Sequence, residues 1–202
     1  MTHITYFGYG SLVNVDTLAK NATHIPGRLQ GWVREWKISG LAANGQGTCS
    51  LTVRPKQCAE IRGLLIKEPK DGLAALNRRE ARYEPHHLEA ESFLADVPHS
   101  HPGSGLFVYK ALPEHNTWGN EQSPILQSYL DCVLQGFYRQ WGEQGVVDFF
   151  ETTDGWHVPV LADRARPRYP RAIKAEPALL ELVDEMMRAR NVAVILDRSL
   201  AS

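Results

Sequence analysis

The sequence predicts an α+β fold in which strands occupy most of the first half and the longest helices follow. Residues 48–54 and 59–67 alternate between apolar and polar side chains, as strands with one buried face do. Residues 125–144 instead carry apolar side chains at helical spacing. The 202 residues, 43% of them hydrophobic, suffice for one good-sized domain, or at most for two small ones.

The N-terminal stretch predicts a strand that runs into a glycine turn. Residues 4–7 have side chains that are common in strands, and Gly8 and Gly10 let the backbone turn sharply or approach a ligand closely. A short helix over residues 15–20 follows, for which Asn14 is a good N-cap. Exposed N–H groups at such a place favour an anion or oxyanion site, although a plain glycine turn fits the same residues.

The next stretch, residues 27–67, predicts antiparallel pairing. Residues 27–39 mix aromatic and β-branched side chains with polar ones, as in a long bent strand, and Gly31 is a candidate for a β-bulge. Strands over residues 48–54 and 59–67 follow, with a turn between them at Pro55-Lys56-Gln57.

A helix predicted over residues 70–82 places one carboxylate on its apolar side. Leu73, Leu76 and Glu80 share a stripe at positions i, i+3 and i+7. A buried carboxylate is costly unless it is paired or used, so Glu80 is either a functional residue or a rim residue paired with an arginine. The helix's arginines are predicted to point elsewhere: Arg78, Arg79 and Arg82.

The second half predicts strands at residues 88–97 and 105–112 and then the strongest helix, over residues 125–144. Tyr129 on that helix is expected in the core, with a substrate contact as the alternative, and Gly136 allows close packing.

The C-terminal part, residues 151–202, is less regular. Residues 178–190 predict an amphipathic helix, and residues 192–196 predict a final strand. Ahead of them lies a basic sequence whose arginines either grip an anion or form a solvated loop: Arg164, Arg166 and Arg168.

Composition excludes several function classes. A formal net charge of −1 argues against a protein devoted to nucleic acid or to an anionic membrane. The N-terminal residues predict no signal peptide, and no apolar run reaches membrane-spanning length, so we expect a cytoplasmic protein. Three widely spaced cysteines indicate reduced, mostly buried thiols rather than a disulfide framework. The pairs His86-His87 and His99-x-His101 lack a second ligand cluster, so no metal is expected.

Four motifs in order resemble the γ-glutamylcyclotransferase-like superfamily, which includes the ChaC-like proteins. They are Phe7-Gly-Tyr-Gly-Ser-Leu12, Ile61-x-Gly63-Leu-Leu-Ile66, Leu76-Asn-Arg-Arg-Glu80 and Tyr129-x6-Gly136. The resemblance implies a small mixed, mostly antiparallel β-barrel flanked by helices. It covers a domain of residues 1–150, and residues 151–202 are expected to pack on it as a lid or an interface.

The same resemblance implies site residues. Glu80 matches the catalytic glutamate, and Tyr129 matches a tyrosine near the pocket. The substrate loop corresponds to Tyr9, Gly10, Ser11 and Leu12. Gly-Tyr-Gly-Ser-Leu is similar to the glutathione-degrading ChaC branch, although Ala81 stands where many members have glycine. That branch's His-Arg-Gly stretch is absent.

The implied reaction is attack of the α-amine of a γ-glutamyl compound on its own γ-carbonyl, which releases 5-oxoproline and an amine, amino acid or peptide. It needs no cofactor, and the expected partners are a small γ-glutamyl substrate and, for a dimer, a second copy of the chain. Two alternatives stay open. One is a non-catalytic binding module of the same fold, and the other is a serine hydrolase or acyltransferase that uses Ser11.

Overall fold

A computed structural model of the chain describes residues 3–41, 47–98 and 105–196. His99 and His101 lie outside these ranges. The described strands are β1 (His3–Gly8), β2 (Thr23–Leu41), β3 (Gly47–Pro69), β4 (Tyr83–His87), β5 (Phe93–Ala95), β6 (Leu106–Ala111), β7 (Ile125–Leu126), β8 (Thr153–Asp154), β9 (Val160–Ala162) and β10 (Val194–Leu196). The α-helices are α1 (Leu73–Arg79), α2 (Gln127–Glu151) and α3 (Pro177–Ala189).

Strands β2 and β3 form one long antiparallel hairpin, which is the largest ladder of the sheet. The register shifts between Gln30 and Trp32, so Gly31, with φ +79°, occupies a bulge as predicted. The predicted turn at residues 55–57 is wrong, because β3 continues through it. Pro55 lies opposite Trp32 at the bulge, where the ladder is already irregular and a proline interferes least.

The predicted α+β class is confirmed, and so is a mixed, mostly antiparallel sheet, but the sheet is not a closed barrel. Its main path among the described strands runs β10-β9-β7-β3-β1-β6-β4, and β2 pairs with β3, β5 and β8. Closure of this path would require β4 to pair with β10. These strands are only 5 and 3 residues long, and each is bonded to a single neighbour among the described strands.

The helices differ from their predicted limits where local geometry intervenes. The helix predicted over 15–20 is a 3-10 turn, Val15–Thr17, whose N-cap Asn14 accepts a hydrogen bond from the Asp16 amide. Helix α1 is shorter than predicted because residues 70–72 form a 3-10 turn and Glu80 is the C-cap. Helix α2 runs beyond residue 144, with a kink at Gly142, where φ is +63°.

The core lies between the sheet and α2. Trp36 of β2 is fully buried and packs edge-to-face on Tyr129 and Phe149 of α2, at centroid distances of 6.0 and 6.3 Å. Helix α3 buries Leu179 and Val183, and it packs against α2. Across the described ranges, we find no helix that combines the length and the apolar character needed to cross a membrane.

Candidate active site

A cavity of about 280 Å³ lies where β1 ends, and it brings the predicted site residues together. Its walls include Glu80 and Tyr129 together with the 9–12 turn, which is Tyr9, Gly10, Ser11 and Leu12. These residues come from three elements that are distant in sequence. The fold therefore places every residue that the resemblance implied for the site around one space.

The 9–12 turn is held by a backbone hydrogen bond and by close packing against Tyr129. Val13 donates the first hydrogen bond of the 3-10 turn to the Gly10 carbonyl at 2.9 Å. The amides of residues 10–12 therefore take no part in the turn's own hydrogen bonds. A Cβ at Gly10 would lie 3.3 Å from the Tyr129 hydroxyl, so only glycine lets these two walls meet without a shift.

A buried arginine supports the turn, a role that no sequence pattern indicates. Arg34 of β2 is fully buried and donates through Nε to the Tyr9 carbonyl at 3.1 Å. Its guanidinium also lies 4.9 Å from the ring centroid of Phe137 and 4.8 Å from that of Phe149. Burial lowers the pKa of Arg34 to about 9. Its place among the polar positions of β2 resembles that of a solvent-facing residue, so strand periodicity does not indicate its role.

Glu80 was predicted to lie within a helix over residues 70–82. It instead lies at the C-cap of α1. Its amide donates to the Leu76 carbonyl at 2.9 Å, and its φ of −100° and ψ of +33° end the helix. The side chain is only 12% exposed, and Oε1 lies 3.3 Å from Arg79 Nε. Burial raises the pKa of Glu80 above its usual value, against the opposing charges of Arg79 and Arg171.

Arg79 connects Glu80 to the 9–12 turn, although a helical wheel places it away from the apolar stripe. Its Nη2 donates to Ser11 Oγ at 3.0 Å, and Nη1 donates to the Thr17 carbonyl at 2.8 Å. One guanidinium therefore touches both the carboxylate and the serine. Arg82 also lines the cavity. The prediction that Arg79 and Arg82 point elsewhere was wrong: Arg79 is the last residue of α1, beside Glu80, and Arg82 lies beyond the end of the helix.

Tyrosines form much of the remaining wall. Tyr83 donates to the Leu51 carbonyl at 2.7 Å, and Tyr109 donates to Asn77 Oδ1 at 2.7 Å. Burial raises the pKa of Tyr129 and Tyr83 well above the usual tyrosine value, and it raises the pKa of Tyr109 to about 12. The hydroxyls are therefore neutral near pH 7 and act as hydrogen-bond donors.

The C-terminal part supplies one side of the cavity through Tyr169 and Arg171. The Tyr169 ring meets Tyr129 edge-to-face at a centroid distance of 5.0 Å. Of the three arginines in the basic sequence, Arg164 forms ion pairs with Asp131 and Asp184 at 2.7 and 2.8 Å. It therefore fixes this segment to the protein instead of gripping an external anion.

The groups available in the cavity limit its chemistry. None of the described residues that line it is a histidine or a cysteine. Among residues 3–41, 47–98 and 105–196, no group of three metal-ligating side chains lies together. The cavity thus offers one carboxylate of raised pKa, backbone amides, the Ser11 hydroxyl and the guanidinium groups of three arginines, which suit proton transfer and anion stabilisation.

The chain is similar to known proteins in its structure. No protein-family model and no curated sequence matches the chain. A solved structure described as a gamma-glutamyl cyclotransferase is similar over 91% of this chain and 99% of its own, with a TM-score of 0.50 and 13% identity. The structure of an uncharacterized protein from Homo sapiens is similar over 91% of this chain and 99% of its own, with a TM-score of 0.52 and 14% identity.

YkqA from Bacillus subtilis is similar over 77% of this chain, with a TM-score of 0.53 and 16% identity, and the match spans 57% of its own length. The architecture shared with the first two structures extends over nearly the whole chain. The chain therefore has the fold of the γ-glutamylcyclotransferase-like superfamily.

Proposed function

We propose that this protein is a γ-glutamylcyclotransferase-type enzyme that converts a γ-glutamyl compound into 5-oxoproline and a free amine, amino acid or peptide. The α-amine nitrogen attacks the γ-carbonyl carbon, the bond from that carbon to the leaving nitrogen breaks, and a proton passes from the attacking nitrogen to the leaving one. The observation that carries the proposal is the shared cavity of Glu80 and the 9–12 turn.

Glu80 is the proposed proton carrier. The α-amine of a substrate is mostly protonated near neutrality, so it requires a base before it can attack. Because burial raises the pKa of Glu80, the carboxylate is a stronger base than an exposed glutamate, and its acid form then protonates the leaving nitrogen. General acid–base catalysis of this kind contributes roughly 10²–10⁴-fold to the rate.

The rest of the site holds the substrate in a reactive shape. Nucleophile and electrophile belong to one molecule, and good orientation of such a pair is worth roughly 7–11 kcal/mol. The amides of residues 10–12 hold either the substrate carboxylate or the oxyanion that develops during attack. An oxyanion donor typically contributes about 3 kcal/mol.

The serine-hydrolase alternative is weaker on two grounds. Ser11 Oγ accepts a hydrogen bond from Arg79 Nη2 at 3.0 Å, and a neighbouring cation does not act as a general base. In addition, no histidine is among the described residues that line the cavity. The binding-module alternative retains the same cavity and differs only in the absence of turnover.

An assay for 5-oxoproline separates these functions. We expect the wild type to release it from γ-glutamyl dipeptides, γ-glutamylamines or glutathione, and Glu80→Gln to lose roughly 10²–10⁴-fold in kcat. Ser11→Ala should retain most activity, and Glu84→Gln, on the exposed strand β4, is the matched control. Activity lost in Ser11→Ala but kept in Glu80→Gln would contradict the proposal, and folded protein without any turnover would favour a binding module.

A further inference from the structure

The cavity carries more positive charge than its one carboxylate can balance. Arg79, Arg82 and Arg171 line it together with Glu80. Arg79 is occupied by Glu80, Ser11 and Thr17. Within the described ranges, however, no carboxylate lies at ion-pair distance from Arg82 or Arg171. Arg82 and the exposed Arg171 therefore line the cavity without a carboxylate partner of their own, so their charges are available to a ligand.

Both of these arginines are held in place. A Cβ at Gly40 would lie 3.1 Å from Arg82 Nη1, so the absence of a side chain there lets the guanidinium rest against β2. Arg171 donates through Nε to the Tyr169 hydroxyl at 3.1 Å, and its guanidinium carbon lies 5.2 Å from that ring's centroid. Restricting a flexible arginine in this way lowers the entropy cost of binding an anion.

The segment that carries Arg171 is anchored by a buried carboxylate. Asp163 is fully buried and accepts hydrogen bonds from the Ser128 amide at 2.7 Å, the Ser128 hydroxyl at 2.6 Å and the Arg168 amide at 2.9 Å. The Tyr169 amide in turn donates to Ser128 Oγ at 3.3 Å. The position of Arg171 is thus set by contacts to the start of α2.

We infer that Arg171, together with Arg82, binds a carboxylate on the leaving group, so that the substrate is a γ-glutamyl amino acid or peptide rather than a simple γ-glutamylamine. This inference rests on the proposed function. Every γ-glutamyl substrate brings an α-carboxylate, for which the amides of the 9–12 turn are available. A leaving group with its own carboxylate supplies a second anion for these two guanidinium groups to bind.

Two substrates that differ only in this carboxylate test the inference: γ-glutamylalanine and γ-glutamylethylamine. We expect the wild-type kcat/KM to be roughly 10- to 100-fold higher for γ-glutamylalanine, as a charge-assisted pair predicts. Arg171→Gln should lose most of this preference through a higher KM for γ-glutamylalanine, and Arg82→Gln should act in the same direction. Arg166→Gln, an exposed arginine outside the cavity, is the control and should keep the preference.

The inference is overturned if the wild type shows no preference, or if Arg171→Gln loses equally on both substrates, which would assign Arg171 to the glutamyl α-carboxylate. The pH dependence of kcat/KM should be recorded for the wild type and for each variant, because loss of the Arg171 charge also raises the pKa of Glu80. If neither compound yields 5-oxoproline, the proposed function fails instead. Calorimetric binding of the same two compounds to the wild type and Arg171→Gln then decides the carboxylate question independently.

Discussion

Glu80 illustrates how a single residue combines structural cost with chemical use. It ends α1, is only 12% exposed and lies beside Arg79. Burial raises its pKa in spite of that arginine and Arg171. Because the pKa is raised overall, desolvation outweighs the attraction of the carboxylate to Arg79 and Arg171. The charged form of Glu80 therefore destabilises the folded state relative to an exposed glutamate.

Replacing this residue should therefore separate stability from activity. We expect Glu80→Gln to raise the midpoint of thermal unfolding near pH 7, because the amide removes a poorly solvated charge. A pKa that is higher in the folded state stabilises the wild type fully below the ordinary value of 4.5, and this contribution disappears as pH rises through the folded-state value. The difference in unfolding midpoint between Glu80→Gln and the wild type should therefore disappear below about pH 4.5.

Thermal unfolding followed by circular dichroism from pH 4 to pH 8 measures this effect. Glu84→Gln on β4 serves as the control, since its side chain is exposed. A midpoint for Glu80→Gln that is lower than the wild type at pH 7 would mean that the arginine contacts outweigh burial.

Arg79 sets the charge environment of Glu80, and its removal should move the pH dependence of the reaction. Arg79 lowers the pKa of Glu80 by its positive charge. In Arg79→Gln that pKa should rise further, so the acid limb of kcat/KM moves to higher pH. The variant also loses a hydrogen bond to Ser11. This loss should lower the plateau value of kcat/KM without moving the pH of its acid limb. An unchanged limb with a lower plateau would assign Arg79 to positioning alone.

At the scale of elements, the 9–12 turn depends on its contact with α2. A Cβ at Gly136 would lie 2.5 Å from the Asn14 amide nitrogen and 2.6 Å from the Val13 carbonyl carbon. These are backbone atoms, which cannot yield as a flexible side chain can. The side chain of Asn14 ties the same region to α2 by donating to the Cys132 carbonyl at 2.9 Å.

Gly136→Ala should therefore destabilise the fold by about 1–3 kcal/mol and displace the turn, with a loss of activity larger than the loss of folded protein. Denaturant unfolding and the 5-oxoproline assay measure the two effects. Gly72→Ala is the matched control, because its nearest neighbour would lie at an ordinary 3.7 Å and its backbone is helical. It should be neutral or stabilise by about 0.4–1 kcal/mol. Equal behaviour of the two variants would refute the role of this contact.

The segment that carries Tyr169 and Arg171 depends in the same way on Asp163. An asparagine there has one acceptor oxygen and an NH₂ group that faces donors, so Asp163→Asn leaves a buried donor unpaired. We expect about 1–3 kcal/mol of destabilisation and a raised KM for γ-glutamylalanine. Asp184→Asn removes a half-exposed ion pair of Arg164 and should cost no more than about 1 kcal/mol. Equal costs in the two variants would argue against Asp163 as the anchor.

At the scale of the whole molecule, the C-terminal part shares the sheet and core of the rest. Strand β8 pairs with β2, β9 pairs with β7, and α3 packs on α2 through Leu179, Val183 and Met187. Burial of each such side chain contributes roughly 1.5–3 kcal/mol, against a typical net stability of about 5–15 kcal/mol. The predicted division at residue 150 falls next to the end of α2 at Glu151.

A fragment of residues 1–150 should accordingly lack a cooperative unfolding transition, because it loses these contacts and exposes the apolar side of α2. Calorimetry of the fragment and of the full chain tests this expectation. A fragment of residues 1–196, which keeps every described element, is the control and should unfold like the full chain. A sharp transition in the shorter fragment would instead support an independent N-terminal domain.

Much of the fold and part of the site were predictable because they depend on local patterns. Alternation predicted β6 and most of the β2–β3 hairpin, and the bulge at Gly31 followed from its glycine. Helical spacing predicted α2 and α3. The motifs around Gly10 and Glu80 identified the two sides of the cavity, since each motif is continuous in sequence.

The tertiary structure alone decided which other residues reach the cavity and how the sheet ends. Arg79 reaches the 9–12 turn because its side chain extends from the last residue of α1 to Ser11 and Thr17, and a helical wheel does not show which segment packs beside that end of the helix. Arg171 reaches the site because Asp163 fixes its segment against α2. Periodicity reports which face of an element is buried, whereas these positions depend on contacts between segments far apart in sequence, and such contacts form only when the whole chain packs.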